Sequence, residues 1–302
     1  MKDTPVVRLV PDDPRYPALL ASIPSPPTLD VRGTLEPADA LAVAIVGSRR
    51  ATAYGVEVAE TLAADLAARG VTIVSGLARG IDTAAHRAAL AAGGRTLAVL
   101  GHGIDRVYPP ENAALAAAIV ERGALLTQFA PGLGPLSYHF PARNRTLAGL
   151  ALGVVVVEAE ERSGALITAG LAGELGREVF AVPGRITSPT SRGTHGLIRD
   201  GAMLIGHWTD IVAELGEPWR SMIDGAHASG DEAARPAPGS DEAKMLELLS
   251  VDEAQDIERL IARAGVDAAR AGTALIALEL AGSARQLGGQ RWVATGARAR
   301  RA

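Results

Sequence analysis

The sequence predicts an α/β fold: an extended, Rossmann-like, doubly wound and mostly parallel sheet over residues 41–214, followed by a small winged-helix-like domain over 244–296. The first observation is a series of continuous apolar runs, "LAVAIVGS", "VTIVSGLA", "TLAVLG", "ALLTQF", "VVVVEA" and "EVFAVPG". Such runs fit strands buried on both faces by crossover helices. The second is what lies between them: "AYGVEVAETLAADLAARG", "IDTAAHRAALAAGG", "PENAALAAAIVERG", "FPARNRTLAGLALG" and "GALITAGLAGELGRE". These are Ala/Leu-rich, and most end in the glycine that closes a helix. Strict alternation of the two patterns argues for parallel strands joined by helices. The third observation is C-terminal. Three short helical patterns, "KMLELLS", "EAQDIERLIARAG" and "DAARAGTALIALELAG", precede a hairpin, "ARQLGGQRWVA", expected to turn at Gly288-Gly289.

The flanks read differently. Residues 1–40 are proline-rich and are expected to form an extended entry segment. Residues 215–243 are rich in Gly, Pro, Ser and acid, the composition of a linker. The basic tail, 297–302, is expected to be disordered.

Composition narrows the function. The 302 residues suffice for one large domain and a smaller one. Hydrophobic residues make up 48% but aromatics only 3%, so the core must be built from Ala, Val, Leu and Ile. No window approaches about 18 uninterrupted apolar residues, so no membrane span is expected, and the N-terminus lacks the apolar region of a signal peptide. Cysteine is absent, which excludes thiolate chemistry and suits a cytoplasmic location. His86, His102, His139, His195, His207 and His227 show no metal-ligand spacing, so no metal site is expected. The formal charge of −4 rules out a globally basic surface; any polyanion must be held by a local cluster. Lys2 and Lys244 are the only lysines among 30 basic residues. A GC-rich genome suffices to explain that bias. Arginine nevertheless stacks on flat rings and grips phosphate with a fork, which lysine cannot do.

In an open α/β sheet, ligands bind beyond the carboxyl ends of the strands. The residues there are Gly47-Ser48-Arg49, Ser75-Gly76, Gly101-His102-Gly103, the segment around Phe140, Ser163-Gly164 and Gly184-Arg185. Small residues let amides approach an anion, and helix N-termini add positive potential. Tight βα turns need glycine in any case, so it is the repetition at every strand end that favours phosphate. The first turn is "GSRRATAYG" rather than G-x-G-x-x-G, and there is no Walker P-loop, so no cofactor is expected. Nor is a catalytic set evident. Asp82, four residues before His86, reads as a cap on its own helical turn. Glu158, Glu160 and Glu161 read as a solvated loop face, not an acid/base pair.

The segment "HFPARNRTLAGL" is the most informative. A helix starting near Phe140 places Phe140, Arg143 and Asn144 on one face at i, i+3 and i+4. A ring beside a guanidinium can stack an unpaired base and hold its phosphate, at about 1–3 kcal/mol per stacked base whatever the sequence. The alternative is a core phenylalanine flanked by surface arginines. Single-stranded nucleic acid is preferred because it presents free bases and phosphates together.

Across residues 16–206, the ordered motifs "AIVGSRRATAYG", "SGLARGIDTAAHRAAL", "GGRTLAVLGHGIDRVYPPEN", "FPARNRTLAG", "VVVVEA", "SGALITAGLA", "REVFAVPG" and "GLIRDGAMLI" resemble the DprA/Smf family of DNA-processing proteins. The resemblance implies a homodimeric, non-enzymatic protein that binds single-stranded DNA without strong sequence preference and loads the RecA recombinase during natural transformation. It also implies that the DNA contacts include Gly47, Ser48, Arg49, Ser75, Gly76, Gly80, Gly101, Gly103, Phe140, Arg143, Asn144 and Arg145, with Ser163, Gly164 and Thr168 lining the same pocket. The stretch 195–202, with His195, Leu197, Ile198 and Ala202, would form the dimer contact. Departures are Gln128, where glutamate is usual; His195, where asparagine is common; and Thr146-Leu147 in place of an aliphatic pair. Many relatives begin with a helical domain resembling a sterile alpha motif; here only a short stretch precedes Tyr16, so that domain is expected to be absent or cut away.

Two rivals remain at this stage. One is a nucleotide-processing enzyme of the lysine-decarboxylase-like phosphoribohydrolase type, although "VPGRITSPTSRGTHGLI" lacks the catalytic glutamate of that group's glycine loop. The other is an adaptor acting through the winged helix, whose third helix carries Arg270 as its only basic residue.

Overall fold

The computed structural model describes residues 4–227, 236–237, 239–250, 253–280, 283–287 and 289–294. The chain divides into two compact units, residues 1–224 and 225–302. In chain order the first unit contains β1 (Val6–Leu9), α1 (Ala18–Ala21), β2 (Leu29–Gly33), β3 (Ala42–Val46), α2 (Ala53–Ala67), β4 (Thr72–Ser75), α3 (Ile81–Ala91), β5 (Thr96–Val99), α4 (Ala113–Arg122), β6 (Ala124–Thr127), α5 (His139–Gly149), β7 (Gly153–Val156), α6 (Gly164–Glu174), β8 (Glu178–Ala181), α7 (Arg192–Arg199), β9 (Met203–Leu204) and α8 (Trp208–Glu214). Helix α9 (Trp219–His227) runs up to and across the division.

The strands form one nine-stranded sheet in the order β1-β2-β6-β5-β4-β3-β7-β8-β9. All pairs from β6 to β9 are parallel; β1 with β2, and β2 with β6, are antiparallel. The chain walks outward from β3 to β6, returns to lay β7 beside β3, and walks the other way. That reversal makes the β3/β7 junction the topological switch point, and the adjoining carboxyl ends the place for a ligand.

Burial on both sides explains the unbroken apolar runs. Val43 and Ile45 of β3 join a core with Leu62 and Leu66 of α2, Ala85 of α3 and Ile211 of α8. Their alternating neighbours Ala42, Ala44 and Val46 face Leu20 of α1, Leu147 of α5 and Ala169 of α6. Helix α4 covers the outer strands, setting Leu115 and Ile119 against Ala98 and Leu125. Ile45, Ile73 and Leu125 are fully buried, and truncation of any of them to Ala should cost about 2–5 kcal/mol.

The predicted doubly wound sheet is found, with three differences. Residues 1–40 are not merely an entry segment, because β1 and β2 extend the sheet and Val31 pairs opposite Leu126. Proline-flanked strands are short, and β2 is legible only through its buried Leu29 and Val31. Second, the unit continues past residue 214: Leu215 and Ile223 are buried, and Trp219 packs on the same core. The composition that suggests a linker over 215–243 therefore includes a packed helix at its start, while 228–235 and 238 lie outside the described residues. Third, Glu158 is not on a solvated face. It is 3% exposed and accepts hydrogen bonds from Thr52 N (2.9 Å), Thr52 Oγ1 (2.6 Å) and Thr190 Oγ1 (3.1 Å). Thr52 in turn caps α2 by accepting from Gly55 N at 3.1 Å. A buried carboxylate thus clamps the switch-point turns instead of meeting solvent.

The second unit holds α10 (Asp241–Leu248), β10 (Gln255–Asp256), α11 (Ile257–Ala264), α12 (Ala268–Leu280), β11 (Ala284–Leu287) and β12 (Arg291–Ala294). Its strands form a sheet in the order β10-β12-β11. Met245, Leu260, Leu275 and Trp292 meet in its core. This is the expected arrangement of three helices and a hairpin, with β10 as an added short strand. Asp256 caps α11 by accepting from Glu258 N at 2.9 Å, and left-handed Gly265 (φ +66°) ends it. Gly288 and the tail 297–302 lie outside the described residues. Among the described residues, no helix is long and apolar enough to cross a membrane.

Candidate functional site

A cleft opens above the carboxyl ends of β3, β4 and β5 and against the first turn of α5. It is lined by Arg49, Gly76, Ala78, Arg79, Gly101, His102, Tyr108, Pro109 and Phe140, and encloses about 370 Å³ including the space open to solvent. Phe140 forms one wall. Its ring lies so close to the β5 exit that a Cβ on Gly101 would stand 3.1 Å from it. The Arg49 guanidinium carbon sits 4.9 Å from the ring centroid and that of Arg143 5.7 Å away, both within cation–π range. Arg49 and Arg79 are exposed.

Arg143 behaves differently from the expectation of a surface phosphate ligand. It is 5% exposed and crosses over the sheet, donating from Nη1 to Val99 O at 3.1 Å. It can do so because residue 76 has no side chain: a Cβ there would lie 1.5 Å from Nη1. Asp82 supplies the compensating charge from the start of α3. Burial pushes the Asp82 carboxyl up, against the opposing pull of Arg143 and of the Gly76 and Ala78 amides. Burial likewise lowers Arg143, which stays charged because a guanidinium does not lose its proton in proteins. Asp82 does not cap its own helical turn. Its Oδ2 accepts from Gly76 N (3.1 Å) and Ala78 N (3.2 Å), folding the β4–α3 turn back on itself.

This has a consequence for anion binding. The amides that the strand-end pattern offers to phosphate are partly taken. Besides the two on Asp82, Ile81 N donates to Ser48 O (3.2 Å), and Arg50 N to Ser48 Oγ (3.1 Å). Gly47 and Gly80 let these turns stack: a Cβ on Gly80 (φ +75°) would meet Ser48 O at 2.2 Å, and one on Gly47 would meet Ile81 at 2.6 Å. The cations lining the cleft are the guanidiniums of Arg49 and Arg79. One of them is engaged, since Arg79 forms an exposed ion pair with Glu111.

The remaining candidates separate into groups. Ser75 is fully buried, donating to Ile45 O at 2.6 Å within the sheet. Gly103 packs beneath the 130–133 loop, donating to Leu133 O at 3.0 Å. Asn144 turns toward α6 and donates to Gly164 O (3.4 Å), to which Thr168 Oγ1 also donates (3.4 Å). Ser163 caps α6 by accepting from Ala165 N at 3.2 Å. Arg145 points to the entry segment and donates to Pro24 O at 3.2 Å. Ser163, Gly164, Thr168 and Arg145 thus do not line the cleft with Arg49 and Phe140. His195 lies on α7, its Nε2 3.1 Å from Gly184 O; Leu197 and Ile198 follow on the same helix, and Ala202 leads into the edge strand β9. Among the described residues no cluster of metal-ligating side chains exists.

Arg79, Tyr108 and Pro109 line the cleft without having been singled out from the sequence. Arg79 follows the β4 end closely, three residues past Gly76, and reading further along the turn would have found it. Tyr108 comes back to the site along a loop whose path no local pattern reveals.

Comparison with known proteins identifies the family. Residues 8–216 match the family model of DNA recombination-mediator protein A, and residues 229–290 match the DprA winged helix domain. Protein Smf of Escherichia coli is 42% identical over 290 residues, spanning 93% of this chain and 75% of that protein. The putative DNA processing protein DprA of Mycobacterium tuberculosis is 45% identical over 243 residues, 80% of this chain and 59% of that one. Among solved structures, DNA processing protein A of Streptococcus pneumoniae superposes with a TM-score of 0.67 at 44% identity, covering 71% of this chain and 75% of the other. DNA processing protein A of Helicobacter pylori, solved for its single-stranded DNA binding mode, superposes at 0.62 with 30% identity, covering 69% and 94%. With a matched sheet domain, a matched winged helix and relatives sharing well over a third of its residues, the chain belongs to the DprA/Smf family of DNA recombination-mediator proteins.

Proposed function

We propose that this protein binds single-stranded DNA in the cleft above β3, β4 and β5 and delivers it to the RecA recombinase, acting by binding alone. The observation that carries the reading is the placement of exposed Arg49 over the ring of Phe140 at the mouth of the cleft. The ring offers a face to an unpaired base, while Arg49, joined by Arg79 once it leaves Glu111, takes the flanking phosphates. A duplex hides its base faces, so single strands are preferred. The relative from H. pylori, described by its single-stranded DNA binding mode, supports the same polymer here.

The decisive experiment is a titration of oligo-dT and of a duplex at two salt concentrations, with wild type, Arg49→Ala and Phe140→Ala. Tighter single-strand binding that weakens steeply with salt, and that both substitutions reduce, is expected. Equal affinity for both polymers, or no loss in either variant, would overturn the assignment. Arg143→Ala is a poorer probe, because its guanidinium is buried and its loss would disturb the fold. Delivery to RecA is tested separately by the rate of filament assembly on strands coated with a single-strand-binding protein.

A homodimer through α7 and β9 is part of the proposal, with His195, Leu197, Ile198 and Ala202 at the contact. Supporting it, β9 is a sheet edge whose Met203 and Leu204 are 42% and 50% exposed, and Ile186 nearby in sequence is 88% exposed. Ile198→Glu should convert the dimer to a monomer in sedimentation; an unchanged mass would exclude this face.

A further inference from the structure

The loop between β6 and α5 carries an exposed apolar surface that nothing so far explains. Leu133 is 40% exposed, Leu136 41% and Tyr138 69%. Tyr108, on the cleft wall, is 39% exposed. Large exposed apolar side chains grouped on one loop mark an interaction surface, and this loop is not loosely held. Gly103 N donates to Leu133 O at 3.0 Å, Gly132 N to Asp105 Oδ1 at 2.8 Å, and His139 N to Leu136 O at 3.0 Å.

Tyr138 itself is backed by an aromatic stack. Its ring meets His139 edge-on, with centroids 4.6 Å apart and planes at 75°. His139 is buried and stacks on Phe129 at 4.2 Å and 27°. A tyrosine that is largely exposed, yet braced from behind by two further rings, loses little freedom when a flat partner settles on it. Tyrosine suits this role because it has few rotatable bonds and tolerates water at its hydroxyl end.

We propose that Tyr138 is a second base-stacking platform, taking an unpaired base next to the one held at Phe140, so that the nucleic-acid track runs from the cleft onto the 133–138 loop. This rests on the single-strand reading above. The occupant is the same polynucleotide and not a second protein, because Tyr138 lies two residues before Phe140, at the start of the helix whose first turn forms the cleft wall. The two platforms contribute independently, so each is expected to sense its own base.

The test uses the full chain and a fluorescein-labelled oligo-dT, against an oligomer of equal length with abasic positions. Tyr138→Ala should weaken oligo-dT binding roughly tenfold, leave the salt slope unchanged, and have no effect on the abasic oligomer. Tyr138→Phe should restore binding; Tyr138→Leu, equally apolar but not flat, should not. If Tyr138→Ala binds oligo-dT like wild type while Phe140→Ala is impaired, the second platform is wrong and the cleft stands. If neither substitution matters, the cleft assignment falls as well. An equal loss on the abasic oligomer would overturn stacking and make Tyr138 a backbone contact. Thermal unfolding of each variant separates these outcomes from misfolding, since an exposed tyrosine should be removable without a large change in Tm.

Discussion

The backbone of Gly76 and the guanidinium of Arg143 occupy adjoining space: a methyl group at position 76 would lie 1.5 Å from Arg143 Nη1. The glycine is there to admit an arginine, not an anion. Gly76→Ala should therefore destabilise by about 1–3 kcal/mol through overpacking. Arg143→Ala should cost about 3 kcal/mol by stranding the buried Asp82 carboxylate. The double variant should cost less than the sum, because the added methyl group then has room. Urea denaturation of the four proteins measures this coupling; strict additivity would contradict the shared space.

Arg49 and Arg145 should part company. Arg49→Ala is expected to weaken single-strand binding about tenfold and to reduce the salt slope by about 0.7, the contribution of one lost phosphate contact. Arg145 donates to Pro24 O and anchors the entry segment. Arg145→Ala should lower stability by about 1 kcal/mol and leave the salt slope as it was. Fluorescence anisotropy at several salt concentrations, with a denaturation curve for each variant, distinguishes the two roles.

Glu111 holds Arg79 at the rim of the cleft. An incoming phosphate must displace that carboxylate before Arg79 can bind it. Glu111→Gln should free the arginine, tighten single-strand binding several-fold and steepen the salt dependence by about 0.7. Both partners are about half exposed, so little change in stability is expected. Weaker binding in this variant would mean that Glu111 positions Arg79 instead of competing for it.

His86 makes the fold acid-sensitive. It is fully buried, and its Nδ1 lies 2.6 Å from Thr96 Oγ1, which itself donates to Ile73 O at 2.7 Å. Nδ1 is therefore the donor and the ring is neutral. Burial, reinforced by Arg143, pulls its pKa from 6.5 down to about 3. Because the folded value is depressed, the unfolded chain takes up the proton first. The stabilisation is complete above 6.5 and is lost as pH falls toward about 3. Between pH 6.5 and about 5, wild type should lose roughly 1.5 kcal/mol more than His86→Gln. Parallel curves for the two proteins in urea titrations would refute the assignment.

The sheet was legible because its central strands are sealed on both faces, so Val43 to Val46 and Val154 to Val157 read as unbroken apolar runs. The two ends of the sheet were not. β2, next to the β1 edge, buries few apolar residues among prolines, and the β9 edge is two residues long. At the site, helical spacing correctly grouped Phe140 with Arg143, but spacing conveys direction and not depth. Phe140 stops at the cleft, whereas Arg143 continues beneath it because Gly76, in the turn after β4, makes way. Asp82 was misread for a similar reason, since its partners Gly76 and Ala78 precede it in the chain, and the usual capping pattern looks forward. Contacts between separate turns leave no periodic trace.

Between Lys2 and Lys244 the chain has no lysine, and the cations lining the cleft, Arg49 and Arg79, are both guanidiniums. Acetyl transfer to an amine, the common way a cell erases a positive charge, has no target there. The positive charge of that lining therefore does not titrate away at alkaline pH. What can still offset it are dissolved salt and neighbouring carboxylates such as Glu111.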